Sequence, residues 1–250
     1  VILVALDPIS TPVQLGTNAP AQVARGSTQQ DSDGARQATL AIPAGTSATI
    51  VTAGGSTQEV SGLSIRASEY TVGQDGPRRM PAALPATSGY TYCVELTADE
   101  APTDATVQFD RPVPFYVENF LGMPVGIAVP VGVFDKATRS WRAETDGRVL
   151  KILSIQNGKA ELDVTGQGTA SAAALAALGI DDDELTRLAS LYPAGTSLWR
   201  AQVRHFSTYD LNYGTVPVAG ATDPEVESAQ SDESIDSRRN ATKKGYGTLE

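Results

Sequence analysis

The 250-residue chain has one cysteine, Cys93, and one histidine, His205. A single cysteine excludes an internal disulfide and a thiolate metal cluster. One histidine beside one cysteine leaves too few nitrogen and sulfur donors for a zinc site. Positive charge is scarce as well: 19 Lys and Arg stand against 29 Asp and Glu, a formal net charge of −10. Nucleic-acid and anionic-membrane surfaces need clustered Lys and Arg. Here the basic clusters are Arg78-Arg79, and Arg238-Arg239 with Lys243-Lys244 in a polar tail. The longest apolar run, Ala172 to Leu178, is far too short to span a bilayer. Two catalytic signatures are missing: no Gly-x-Ser-x-Gly elbow and no Gly-x-x-x-x-Gly-Lys-Ser/Thr phosphate loop occurs.

What is present is turn chemistry and alternation. The chain carries 23 glycines and 15 prolines. Between them, apolar residues recur at every second position, the period of a half-buried strand. Ala38, Leu40 and Ile42 stop at Pro43-Ala44-Gly45, and Ala48, Ile50 and Val51 stop at Gly54-Gly55. Leu63 and Ile65, Tyr90 to Leu96, Val107 with Phe109, and Val113 to Val117 continue the pattern. So do Ile127 to Phe134, Val149 to Ile155, Ala160 to Val164, Ser197 to Phe206 and Thr208 to Tyr213. Ten or more short strands predict a mainly β fold, a β-sandwich of antiparallel strands. A Pro-rich loop between Gly76 and Gly89 is placed to cover a sheet edge.

One stretch departs from the period of two. Thr169 to Leu178 is rich in Ala and Leu and reads as a helix stopped by Gly179. Asp181-Asp182-Asp183-Glu184 then opens a second, since acidic residues suit a first turn. Leu185, Leu188 and Tyr192 share its apolar face, and Pro193 ends it. Residues 169–192 therefore read as a small helical hairpin inserted in the β fold.

Val1 to Leu6 lacks a basic flank, is too short for a signal peptide, and reads as the last strand of an upstream domain. Residues 1–20 are assigned to that strand stub and a linker, with a polar connector to about residue 35. Residues 21–215 are the β-sandwich domain. Residues 216–250 have almost no large apolar residues and read as a polar, disordered linker or tail. The sequon Asn240-Ala241-Thr242 falls in that tail.

Asp163-Val164-Thr165-Gly166-Gln167-Gly168 carries one carboxylate of a calcium loop and lacks the second, the third and the distal Glu. It reads as a glycine turn before a helix. The stronger chemical signal is His205-Phe206-Ser207, the sole histidine two residues before a serine at a break between strands. Ser207 Oγ can attack the carbonyl of Phe206, transfer the acyl group from nitrogen to oxygen, and leave an ester for water to split. A hydroxyl needs a base for this, and a neutral imidazole suits the task near neutral pH. No metal or cofactor is required. The fold has to help by straining the peptide, with Phe206 buried as its anchor. The competing reading is structural, because a lone histidine in a strand most often serves packing.

Longer stretches carry a resemblance. Gly34 to Thr46, with Ile42-Pro43-Ala44-Gly45, resembles the opening of a ZU-five domain, and Val107 to Val113 resembles its later Pro-Val strand. Residues 20 to 215 resemble a region of bacterial Rhs (YD-repeat) proteins that precedes their repeats. The matching stretches are Ala67 to Gly73, Ser88 to Tyr92, Val113 to Gly122, and Ser197-Leu198-Trp199-Arg200 leading into His205-Phe206-Ser207. The chain has Thr208-Tyr209-Asp210-Leu211-Asn212-Tyr213 where relatives often continue Pro-Trp-Asp-Cys-Asn-Trp.

The resemblance implies a β-sandwich cut between Phe206 and Ser207, with His205, Phe206 and Ser207 as the catalytic set. It also implies a secreted or cell-surface parent, whose neighbouring domains and own cleaved C-terminal fragment are the partners. The alternative is a non-cleaving structural module of such a protein. A carbohydrate- or calcium-binding sandwich rests on fold analogy alone.

Overall fold

The computed structural model describes residues 4–84 and 88–214. The tail 216–250 and the Asn240 sequon lie outside the described residues. The early strands are β1 (Thr11–Gln14), β2 (Gln22–Arg25), β3 (Gln29–Asp31), β4 (Gly34–Arg36), β5 (Thr39–Ile42) and β6 (Ala48–Val51). Then come β7 (Thr57–Val60), β8 (Gly62–Glu69), β9 (Cys93–Ala98), the long β10 (Thr106–Glu118), β11 (Ala128–Val129) and β12 (Gly132–Asp135). The last are β13 (Ser140–Ala143), β14 (Gly147–Gln156), β15 (Lys159–Asp163), β16 (Ser197–His205) and β17 (Thr208–Asp210), with helices α1 (Ala172–Ala177) and α2 (Asp182–Leu191) between β15 and β16.

Two antiparallel sheets pack together as a β-sandwich. One has six strands in the order β1-β8-β9-β17-β12-β13. The other has nine, in the order β11-β14-β16-β10-β5-β2, with β15 beside β14 and β6 and β7 extending from β10. The alternation expected from the sequence explains the layering. On β10, Val107, Phe109, Val113, Phe115 and Val117 face the other sheet, and Tyr116 points away. On β16, Trp199, Ala201 and Val203 enter the same core, and Leu198 lies on the opposite face. Period two therefore directs His205 to the inward side of β16 at the sheet rim.

The helical pair covers the outer face of the nine-stranded sheet. Ile180, Leu188 and Tyr192 pack on Tyr116, Leu150, Ile152, Leu162 and Leu198. Helix α1 starts at Ala172, later than Thr169, because Ser171 Oγ accepts the Ala174 N–H and sets the boundary. Gly179 has φ +65° and ends it as expected, its N–H reaching Ala176 O while Ile180 N–H reaches Leu175 O. Asp181 caps α2 through the Glu184 N–H at 2.8 Å. Arg200 on β16 grips Glu184 with two bonds of 2.6 and 2.9 Å, both side chains being buried, and the Tyr116 hydroxyl also donates to Glu184.

Several elements differ from the expectation. The polar connector up to residue 35 holds β1, β2 and β3 and reaches β4. β1 pairs along β8, and Val13 and Leu15 enter the core. Val107 to Val117 forms one strand with a bulge between Gln108 and Val113 rather than two strands. Pro112 has no N–H to give a ladder, so it is accommodated where pairing is interrupted. Tyr90 to Tyr92 precede the strand, because the Thr91 and Tyr92 amides bond the Asn212 side chain instead. The Pro-rich loop does reach an edge: Ala82 O accepts the indole N–H of Trp141 on β13.

Candidate functional site at the sheet-to-sheet corner

β16 lies inside the nine-stranded sheet and β17 inside the six-stranded one. Phe206 and Ser207 alone carry the chain from one to the other, so the predicted catalytic residues occupy a tight corner. The bulge in β10 lies beside it, with Gln108 opposite His205. Bulges concentrate at places where a strand must re-aim its residues.

The two flanks of the corner are pinned. Phe206 N–H donates to Val107 O at 2.8 Å, and the Tyr209 hydroxyl donates to His205 O at 2.8 Å. The His205–Phe206 peptide is thus held at both its polar atoms. Beyond the corner, Ser207 O accepts the Leu96 N–H at 3.0 Å. The peptide between them, Phe206–Ser207, has no hydrogen bond on its carbonyl oxygen or its N–H among the described residues. The Phe206 ring is buried edge-on against Phe109, centroids 5.2 Å apart, as the anchor reading requires.

The polar side chains are less organised for reaction. Ser207 Oγ donates to Phe134 O at 3.2 Å. The His205 ring lies against Tyr209 at 5.6 Å and 31°, and makes no hydrogen bond to the serine. The structure brings the three residues to one corner without joining imidazole to hydroxyl. No non-glycine residue at the corner has a left-handed φ; among the described residues those that do are Arg139 and Asn157.

Sequence reasoning missed Tyr209, Phe134, Val107 and Leu96. Of these only Tyr209 left a signal: a tyrosine opening the strand after a corner often bonds back to the backbone upstream.

Two further carboxylates are explained by their surroundings. Asp210 is buried on β17 beside Gly132 and Cys93. Burial pushes its pKa up to about 6, against the opposing effect of the Asn212 side chain and the Gly132 N–H. Asp163 accepts from the Thr165, Gly166 and Gly168 amides at 2.7–2.8 Å. Its loop is therefore the glycine turn the sequence suggested. Burial raises the Asp163 pKa, but these bonds outweigh it and hold the value below the usual carboxylate range. Among the described residues no group of three His, Cys, Asp or Glu is arranged to hold a metal ion. Among them, too, no helix is long and apolar enough to cross a membrane.

No family model matches the chain, and neither a curated protein nor a solved structure matches it.

Proposed function

We propose that this chain is a self-cleaving module that breaks its own Phe206–Ser207 peptide bond once. The observation that carries the reading is the unbonded peptide between two pinned ones. Attack on an amide requires its carbonyl carbon to pyramidalise and its resonance to be lost. A peptide without hydrogen bonds of its own, set in a rigid corner, yields to that distortion most readily. The resemblance around His205-Phe206-Ser207 supports the same assignment.

His205 turns from Tyr209 toward Ser207 and takes the hydroxyl proton. Side-chain rotation of this kind is fast beside the chemistry, and His205 is only half-buried. Ser207 Oγ then bonds to the Phe206 carbonyl carbon, giving a five-membered tetrahedral ring. The C–N bond breaks, its electron pair goes to Ser207 nitrogen, and the imidazolium returns the proton there. Water adds to the resulting ester. The products are a carboxylate at Phe206 and a free amine on Ser207 with its hydroxyl restored, together heavier than the chain by one water.

The fragments stay associated. The residues from Thr208 to Tyr213 are all buried, β17 pairs with both β9 and β12, and Leu211 N–H bonds Tyr92 O at 2.8 Å. The resemblance further supports a secreted or surface bacterial parent, whose adjoining domains are partners.

A second reading, an uncut structural module, is favoured by the Tyr209 bond to His205 O, which is the arrangement of a tyrosine corner. The denaturing mass of the purified chain separates the two. Fragments 1–206 and 207–250 are expected. Ser207→Ala should give none, His205→Ala should slow cleavage by about 10²–10⁴-fold, and hydroxylamine should accelerate it. A single intact mass after long incubation at neutral pH refutes self-cleavage and leaves the structural module.

A further inference from the structure

The geometry points to Tyr209 as a positioning residue of this corner: its hydroxyl fixes the His205 carbonyl and its ring seats the His205 imidazole. This rests on the self-cleavage reading and assigns it a residue that the tripeptide does not contain.

Three observations converge on Tyr209. Its side chain is buried in the main core, so it is a fixed platform rather than a mobile contact. Its hydroxyl and Val107 O hold opposite atoms of one peptide, His205–Phe206. With that plane locked, and Ser207 O locked by Leu96, the turn between the sheets falls to the φ and ψ angles of Phe206 and Ser207, on either side of the peptide they share. The ring meanwhile lies against the imidazole at 5.6 Å. That contact holds the His205 ring at the corner. Burial raises the phenol pKa well above its ordinary value, so the hydroxyl remains a donor throughout the neutral range.

Tyr209 also belongs to the C-terminal side of the bond, whereas the groups it holds belong to the N-terminal side. The clamp therefore spans the bond to be cut. A misplacement of about 1 Å at a reacting centre can cost on the order of 10²-fold in rate.

The test refolds the full chain from urea and follows fragment formation by denaturing mass. Melting temperatures are taken in parallel on Ser207→Ala backgrounds, which stay intact. Tyr209→Phe keeps the ring and removes the donor; cleavage should slow about 10-fold, with the shape of the pH–rate profile unchanged. Tyr209→Leu removes both; cleavage should slow about 100-fold, so that keeping the ring alone, as in Tyr209→Phe, recovers about 10-fold of the loss.

Wild-type rates in Tyr209→Phe overturn the proposal, and that variant decides the matter if Tyr209→Leu does not fold. A deficit that vanishes well below the variant's melting temperature assigns Tyr209 to stability alone and also overturns it. A wild-type chain that stays whole refutes the self-cleavage reading itself, and this assignment with it.

Discussion

Replacing Asp210 with Asn should remove a pH dependence that this one buried carboxyl imposes on the fold. Asp210 is 7% exposed, on the strand between β9 and β12. The groups facing it are the Cys93 thiol on β9, itself kept neutral by burial, the Gly132 backbone on β12 and the Asn212 side chain. No cation is among them, so desolvation dominates and the pKa rises from 3.8 to about 6. A raised native pKa means the folded chain holds the proton more tightly than the unfolded one. The contribution is complete below about pH 3.8, falls as pH rises, and is lost above about pH 6.

One pKa unit corresponds to about 1.36 kcal/mol, so the loss is about 3 kcal/mol. That is a large share of a typical domain's stability. Urea unfolding of the Ser207→Ala chain, with and without Asp210→Asn, at pH 4 and pH 7.5 isolates the term. Other carboxylates, such as Asp163 and Asp99 with lowered pKa values, titrate equally in both chains. Parallel stability curves for the two chains would refute the argument.

Two other perturbations test the packing around this frame. Arg200→Met leaves Glu184 buried without its cation, and should cost about 3–5 kcal/mol in urea unfolding. Because the pair joins the helices to β16, proteolysis should then strike first within 172–191. Gly132→Ala places a Cβ 2.3 Å from Asp210 Oδ1, and should cost about 1–3 kcal/mol. Most of that should be recovered when Asp210→Ala is added, so additive losses would contradict the contact.

The long strands and the second helix were legible because their apolar residues keep one period over many positions. β16 and α2 are the clearest cases, since one pattern served both burial and boundary. β7 and β13 were not legible. Their residues, Thr57-Gln58-Glu59-Val60 and Ser140-Trp141-Arg142-Ala143, are mostly exposed, so no alternation marks them. β4 ends in Arg36, a fully buried cation held by Asp31 and Glu69 and lying over the Phe120 ring. Charge of that kind reads as surface until its partners, 33 residues away in one case, are seen.

The tripeptide placed the candidate site on the chain but not its surroundings. Tyr209, Val107 and Leu96 reach the corner through pairings that only the tertiary structure creates. The link expected between His205 and Ser207 is not made in this state, because each side chain has another neighbour.

The order of the six-stranded sheet has a consequence for assembly. β17 is the last of the seventeen strands among the described residues, yet it lies between β9 and β12 in the interior of its sheet. Without residues 208–210 in place, β1, β8 and β9 on one side and β12 and β13 on the other have no strand between them in this sheet. Closure is then a long-range event, the slow kind in β folding. The corner comes into existence with that same insertion, since only then are Val107, Leu96 and Phe134 all in reach. On the proposed self-cleavage, reaction at Ser207 would wait for the sandwich to be complete, and a nascent or misassembled chain would keep its backbone whole.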